Sequence, residues 1–123
     1  MEVGIKGTLE IVVEKKHTAA AEMSGSVEVF ATPRMIALFE CAAAKSVQSF
    51  LDEGCTTVGT RIDITHDRAT PVGHTVRIET ELTGIEGRKL TFKCEAFDEK
   101  GHIGGGMQER FIVNTEKFMS KLV

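Results

Sequence analysis

Four side chains in this sequence combine the residue type and the setting needed for polar chemistry: Thr32, Glu40, His66 and Arg110. Glu40 is the most informative. If residues 32–51 form a helix, then at about 100° per residue from Met35 the residues Phe39, Phe50, Ala43, Ile36 and Val47 gather in a stripe from roughly 40° to 120°. Glu40 falls near 140° on the same wheel, between Val47 and Leu51 and about two turns into the helix. A carboxylate at the edge of a buried stripe loses hydration, which raises its pKa unless a cation or hydrogen-bond donors compensate. Such an acid either snorkels to water or is kept for a partner or a use. Thr32 can cap the helix with its hydroxyl, and the free N–H groups behind it suit an anion or a developing oxyanion. His66 closes the run Val58–His66 at a strand end, where an imidazole can orient a carboxylate, move a proton near neutral pH, or simply be structural. Arg110 lies between Glu109 and Phe111 and can equally form a surface ion pair. Acid–base chemistry requires the fold to bring the Glu40 carboxylate within touching distance of the Thr32 hydroxyl and the His66 imidazole.

The remaining polar residues narrow the chemistry further. His17, His74 and His102 fall in polar or turn-like settings and are expected in solvent. His and Cys are too scattered for ligand spacing, so no metal site is expected. GxSxG, HExxH, a Walker lysine and a GxGxxG following a strand are absent. Gly104-Gly-Gly106 is too glycine-rich for an ordinary strand and predicts a bulge or a close backbone approach. Cys41, Cys55 and Cys94 are odd in number and form no CxxC pair, which reads as reduced thiols in a cytoplasmic protein.

The elements that must position these groups follow from periodicity. Thr8–Val13 is rich in β-branched residues and predicts a first strand. Thr18–Ser26 has no clear period and reads as a loop or lid, followed by the short extended run Val27–Phe30. With Thr32 as N-cap and Pro33 at the first helical position, a helix is expected to about Leu51, with Gly54 as its stop. From Thr57 the period changes to two. Val76, Ile78, Thr80 and Leu82 alternate with charged residues, and Leu90, Phe92, Cys94 and Ala96 repeat the pattern. Turn-like clusters at 84–88 and 98–101 predict antiparallel hairpins. A last strand is expected over about Ile103–Asn114, with Thr115 capping a short helix. The predicted order is one strand, one long helix, then four strands in a meander. One helix cannot hide its stripe alone, and one antiparallel sheet has a face to cover. The economical solution is an α+β hot-dog fold, in which a single central helix is wrapped by an antiparallel sheet.

A chain of 123 residues fits one domain, spanning 1–123. Its net charge of −3 offers no basic excess for a phosphate backbone, so nucleic acid is not an expected partner. The longest apolar runs, Met35–Phe39 and Cys41–Ala44, fall far short of the roughly 20 residues that span a bilayer, and no membrane association is expected. The first residues, Met1–Gly7, show no secretory pattern.

Several strings together resemble the fluoroacetyl-CoA thioesterase family of hot-dog proteins. They are Val29-Phe-Ala-Thr32 with Glu40 eight positions on, Gly59-Thr60 leading to Thr65-His66, Ala69-Thr-Pro-Val-Gly73, and Ile85-Glu-Gly-Arg88 with Leu90. Further matches are Ile103-Gly104 with Gly106, Glu109-Arg110, Ile112 and Glu116-Lys-Phe118. The resemblance implies hydrolysis of a short-chain acyl-CoA thioester, with Thr32, Glu40 and His66 as the catalytic residues. It places Gly59, His66 and Arg110 at the substrate and implies a homodimer. It calls for no cofactor beyond the coenzyme A of the substrate. Where the fluoroacetyl-specific enzyme looks to carry lid phenylalanines, this chain has Met23 and Ser26. A small polar residue closes a pocket less tightly than a ring, so a more general small acyl-CoA is the expected substrate. The competing readings are a hot-dog enoyl-CoA hydratase, which typically pairs Asp with His, and a non-catalytic acyl-CoA-binding module. Arg34, Lys89 and Lys93 are candidates for the coenzyme A phosphates.

Overall fold

The computed structural model describes residues 1–123. The chain order is β1 (Lys6–Val12), α1 (Thr32–Gln48), β2 (Cys55–His66), β3 (Thr75–Glu86), β4 (Lys89–Asp98), β5 (Gly101–Asn114) and α2 (Thr115–Ser120), with a 3-10 turn at Lys15–His17. The five strands form one antiparallel sheet in the order β1-β3-β4-β5-β2. Only β3, β4 and β5 make a meander. The expected four-strand meander is therefore corrected: β2 pairs with β5 at the far edge, and β1 takes the place beside β3. The hairpins are two-residue turns, with Glu86 opposite Lys89 and Asp98 opposite Gly101. Gly87 opens the first turn at φ +63°, a conformation that suits glycine in a tight hairpin.

The sheet curls over α1. Met35, Phe39, Ala42, Ala43 and Val47 are the helix's buried residues. They meet Val76, Ile78 and Leu82 of β3, Leu90, Phe92, Cys94 and Ala96 of β4, and Ile103 of β5 in one apolar cluster. Phe30 and Val13 close it at the margin. The period-two pattern of β3 is complete over Val76–Leu82, where alternate residues are buried. Phe50 is not part of the stripe. The helix ends at Gln48, with Ser49 as its cap, and Phe50 lies exposed beyond it.

Both expected threonine caps shift by one residue. Ala31 is the N-cap of α1, no side chain caps the helix, and Thr32 is its first residue. Pro33 then sits in the first turn, where its missing N–H costs nothing. At α2 the cap is Asn114, whose side chain accepts from the Lys117 N–H. The segment before α1 is tethered as well as looped, through isolated bridges between Thr18 and Phe30 and between Val29 and Pro71. Its burial overturns the expected exposure of His17, which is 8 % exposed and accepts the Glu14 N–H at Nδ1.

Leu82 and Glu81 test this frame, because they face opposite sides of β3. Leu82→Ala is expected to lower unfolding free energy by about 2–5 kcal/mol, through lost burial and the cavity left behind. Glu81→Ala should change it by less than about 1 kcal/mol. Urea denaturation of the two variants measures the difference.

Candidate active site

Two polar clusters lie along α1, one at its N-terminus and one two turns further on. At the first, the Thr32 hydroxyl and His66 Nδ1 are hydrogen-bonded at 2.8 Å. Freed from capping, that hydroxyl instead joins the start of α1 to the end of β2. The ring of Phe30 meets His66 edge-on, with centroids 6.1 Å apart, and His66 Nε2 is buried with no hydrogen-bond partner. Burial lowers the His66 pKa from 6.5, against the Arg68 backbone and the Asp67 charge, which raise it. The imidazole is therefore neutral at pH 7, as a group that takes up a proton must be. Beside the pair is a cavity of about 290 Å³, with Ala19, Val27, Val29 and Phe30 in its apolar wall and Asp67 and Arg68 at its polar side.

Arg68 is held in place by Asp98, at 2.7 Å, and by the Gly101 carbonyl. Burial alone would push Asp98 up. The Thr70 hydroxyl, the Lys100 N–H, Arg68 and His74 outweigh it and hold this carboxyl below its ordinary value. Met23, in the segment over the cavity, is the one non-glycine residue at positive φ, at 58°, and is almost fully exposed. Arg34 in the first turns of α1 ties that segment down through Glu22 at 2.8 Å.

The second cluster is built around Arg110. Its side chain is 7 % exposed, so it is a buried cation and not the surface pair that was the other expectation. Nε donates to the Thr57 hydroxyl at 2.9 Å and Nη2 to the Thr57 carbonyl at 3.0 Å. Nη1 lies 3.4 Å from both Glu40 Oε2 and Gln108 Oε1. Burial lowers the Arg110 pKa and the Glu40 charge opposes it; a guanidinium keeps its proton at neutral pH even so. The 3.4 Å pair is longer than a tight charge-assisted bond of about 2.8 Å, which leaves Glu40 able to engage something else. Gly59 makes the room. A Cβ there would run into Glu40 Oε2, and β2 is irregular between Gly59 and Arg61, where an extra residue re-aims the strand.

The structure thus pairs Thr32 with His66, and Glu40 with Gly59 and Arg110, but it does not join the two groups within one chain. Eight helical steps separate Thr32 from Glu40, about 12 Å along the axis at 1.5 Å per residue. The expected contact of the carboxylate with both the hydroxyl and the imidazole is therefore corrected for a single copy. Glu40 is also less sequestered than expected, with 38 % of its side chain exposed. Thr57 and Gln108 are site residues that the sequence reading missed. The signal was present: Gln108 and Arg110 stand two apart on the buried face of β5, where polar residues need partners. The glycines at 104–106 serve close approach, as expected, since a Cβ on Gly104 would meet the Thr65 carbonyl beside His66. His, Cys, Asp and Glu side chains nowhere gather in threes at metal-ligating distance, and no helix is long and apolar enough to cross a membrane.

A sheet wrapped on one long helix, with polar groups at the helix start and along an edge strand, is the architecture of the hot-dog proteins. A hot-dog-like protein from Thermanaerovibrio acidaminovorans superposes with a TM-score of 0.91 at 22 % identity, covering 99 % of this chain and 90 % of that one, a likeness of fold alone. The chain belongs to the fluoroacetyl-CoA-specific thioesterase family, whose profile matches residues 13–116. It is 37 % identical to the fluoroacetyl-CoA thioesterase of Streptantibioticus cattleyicolor, over 99 % of this chain and 92 % of that protein. It is also similar to a variant of the fluoroacetyl-CoA-specific thioesterase solved in complex with fluoroacetate and CoA. There the TM-score is 0.90 at 37 % identity, with 96 % and 99 % of the two chains covered.

The environment of His66 can be checked directly. NMR titration of its imidazole is expected to give a pKa below 6.5. Because the folded value lies below the unfolded one, His66 supports stability fully above pH 6.5, and that contribution is lost as the pH falls through the folded-state pKa. A His66 pKa at or above 6.5 would contradict the buried, neutral ring.

Proposed function

We propose that this protein is an acyl-CoA thioesterase that hydrolyses a short-chain acyl-CoA thioester to the free acid and CoA. The observation that carries this reading is the Thr32–His66 hydrogen bond beside a cavity with one apolar wall, with a carboxylate on the same helix held beside a buried arginine of β5. Family membership supports the reaction class. Thr32, Glu40 and His66 are the proposed catalytic residues. Gly59, His66 and Arg110 are the proposed contacts at the substrate.

The two clusters come together across a dimer. β2 is an edge strand of 12 residues, and an unpaired edge of that length invites a second copy. If two copies of β2 pair antiparallel about a two-fold axis at Asp63, the irregular Gly59–Thr60 end of one lies beside His66 of the other. Thr32 and His66 of one copy then face Glu40 of the second. Glu40 supplies the attack on the thioester carbon, directly or through a water that it deprotonates. The carbon–sulfur bond breaks; in the water route the departing thiolate takes the proton that Glu40 removed from the water, and in the direct route a water then cleaves the Glu40–acyl anhydride, releasing the acid and the proton for the thiolate. Thr32 and the free N–H groups at the start of α1 stabilise the developing oxyanion. His66 orients the reacting groups and carries protons. The residues of the chain suffice for this chemistry without a cofactor. Met23 and Ser26 set no aromatic ring over the cavity, so the substrate is a small acyl group with no selectivity for fluoroacetyl.

Thiol release from a panel of acetyl-, propionyl- and longer acyl-CoAs tests the reaction. Hydration of crotonyl-CoA instead, or binding without turnover, would overturn it. Glu40→Gln is expected to lower kcat by about a thousandfold or more, roughly 4 kcal/mol of barrier, while the protein stays folded. Gly59→Ala should fold normally, since only the end of a flexible side chain must move, yet lose about tenfold or more in turnover as Glu40 is displaced. Mixing Glu40→Gln and His66→Ala copies should restore about a quarter of wild-type activity, because half the dimers are then mixed and each has one intact site. No restoration would place the whole site in one chain.

A further inference from the structure

We infer that Gln108 is a positioning residue: it fixes the Arg110 guanidinium against Glu40 and locks the turn of α1 that carries Glu40 to the strand that carries Arg110. The inference rests on the thioesterase reading and adds a residue to it. Gln108 is fully buried, on the same face of β5 as Arg110. Its Nε2 donates to the carbonyl of Phe39 at 2.9 Å and lies 3.3 Å from Cys94 Sγ, while its Oε1 accepts from Arg110 Nη1 at 3.4 Å. The amide can be oriented only one way, because a carbonyl needs the NH₂ end and a guanidinium needs the oxygen.

Phe39 immediately precedes Glu40. One side chain therefore spans from the backbone beside the acid to the cation that faces it, and sets the spacing between helix and strand at that point. With Thr57 holding Nε and Nη2, Gln108 leaves Arg110 no freedom except toward Glu40. Neutrality also matters. Burial pushes the Cys94 thiol up to about 11, so it is uncharged, and Gln108 is an amide. Glu40 is thus the one anion hydrogen-bonded to Arg110. A carboxylate at 108 would compete for Nη1 and would lose the donor to Phe39.

The test is a double-mutant cycle with Gln108→Met, close to isosteric but apolar, and Arg110→Met. In the wild-type background Gln108→Met is expected to lower kcat by about tenfold or more with KM within about twofold. In the Arg110→Met background the same change should cost clearly less, because the guanidinium it positions is gone and only the tie to the Phe39 carbonyl remains to be lost. Solvent exchange of the Arg110 Nε–H, followed by NMR, should also quicken by about tenfold or more in Gln108→Met, independently of turnover. If Gln108→Met does not fold, Gln108→Asn, neutral and one methylene shorter, withdraws the amide from Arg110 and carries the same cycle. Equal losses in both backgrounds, an unchanged kcat, or unchanged Nε–H exchange would overturn the inference alone. A wild-type protein that leaves every acyl-CoA intact would overturn the thioesterase reading beneath it.

Discussion

A guanidinium buried in the seam between α1 and the sheet dictates much of what surrounds it. A charge out of water must be met by hydrogen bonds and an opposite charge, and leaving it unmet costs several kcal/mol. Arg110 meets that demand with a hydroxyl and a carbonyl from Thr57, an amide from Gln108 and a carboxylate from Glu40. Each partner in turn constrains its own element. Thr57 pins β2 to β5, Gln108 pins β5 to the backbone of α1, and Gly59 must lack a side chain so that Glu40 can lie against β2. The acid at the stripe edge lies 3.4 Å from a cation that neutral partners hold in place.

The apolar frame makes this precision affordable to hold. The sheet buries one face of α1 in an apolar cluster drawn mainly from β3 and β4, and interiors packed at that density resist small displacements. β2 takes least part in the central cluster and contributes the polar side of both sites: Thr57 and Gly59 for one, His66 for the other. An edge strand is well suited to that role, because its outer side is open to a ligand or to another strand. The hydroxyl of Thr32 completes the pattern. The N-cap of α1 is Ala31, so the threonine's oxygen is spent on an imidazole instead of on the helix.

Coenzyme A thioesters present an electrophilic carbon next to a good leaving group, so the demands on the protein are modest: exclude bulk water, polarise one carbonyl and supply one base. The cavity by Phe30, the helix start and the two clusters match those demands. The ordered but aromatic-free segment over the cavity, with Met23 exposed and in the left-handed region, differs from a closed aromatic lid in the amount of water it excludes. Differences of that kind alter which acyl group a pocket accepts.

Much of the fold was legible in the sequence because hydrophobic periodicity is a local property. The helical stripe with Glu40 at its edge, the alternation in β3 and β4, and the close approach at Gly104–Gly106 are written in neighbouring residues. So were Thr32, His66 and Arg110 as residues worth following, whereas Gly59 came only from the family resemblance. The partners of those residues were decided only by tertiary structure. Thr32 could have capped its own helix, but β2 delivers His66 from 34 positions away. Arg110 could have sat in solvent, but the register of β5 on β2 turns it inward onto Thr57. His17 is buried by a segment returning from Phe30. β2 lies at the sheet edge because β3 pairs with β1, a choice made by the packing of the whole sheet. Local sequence specifies which face of an element is apolar; which polar groups then meet depends on order and register across the entire chain.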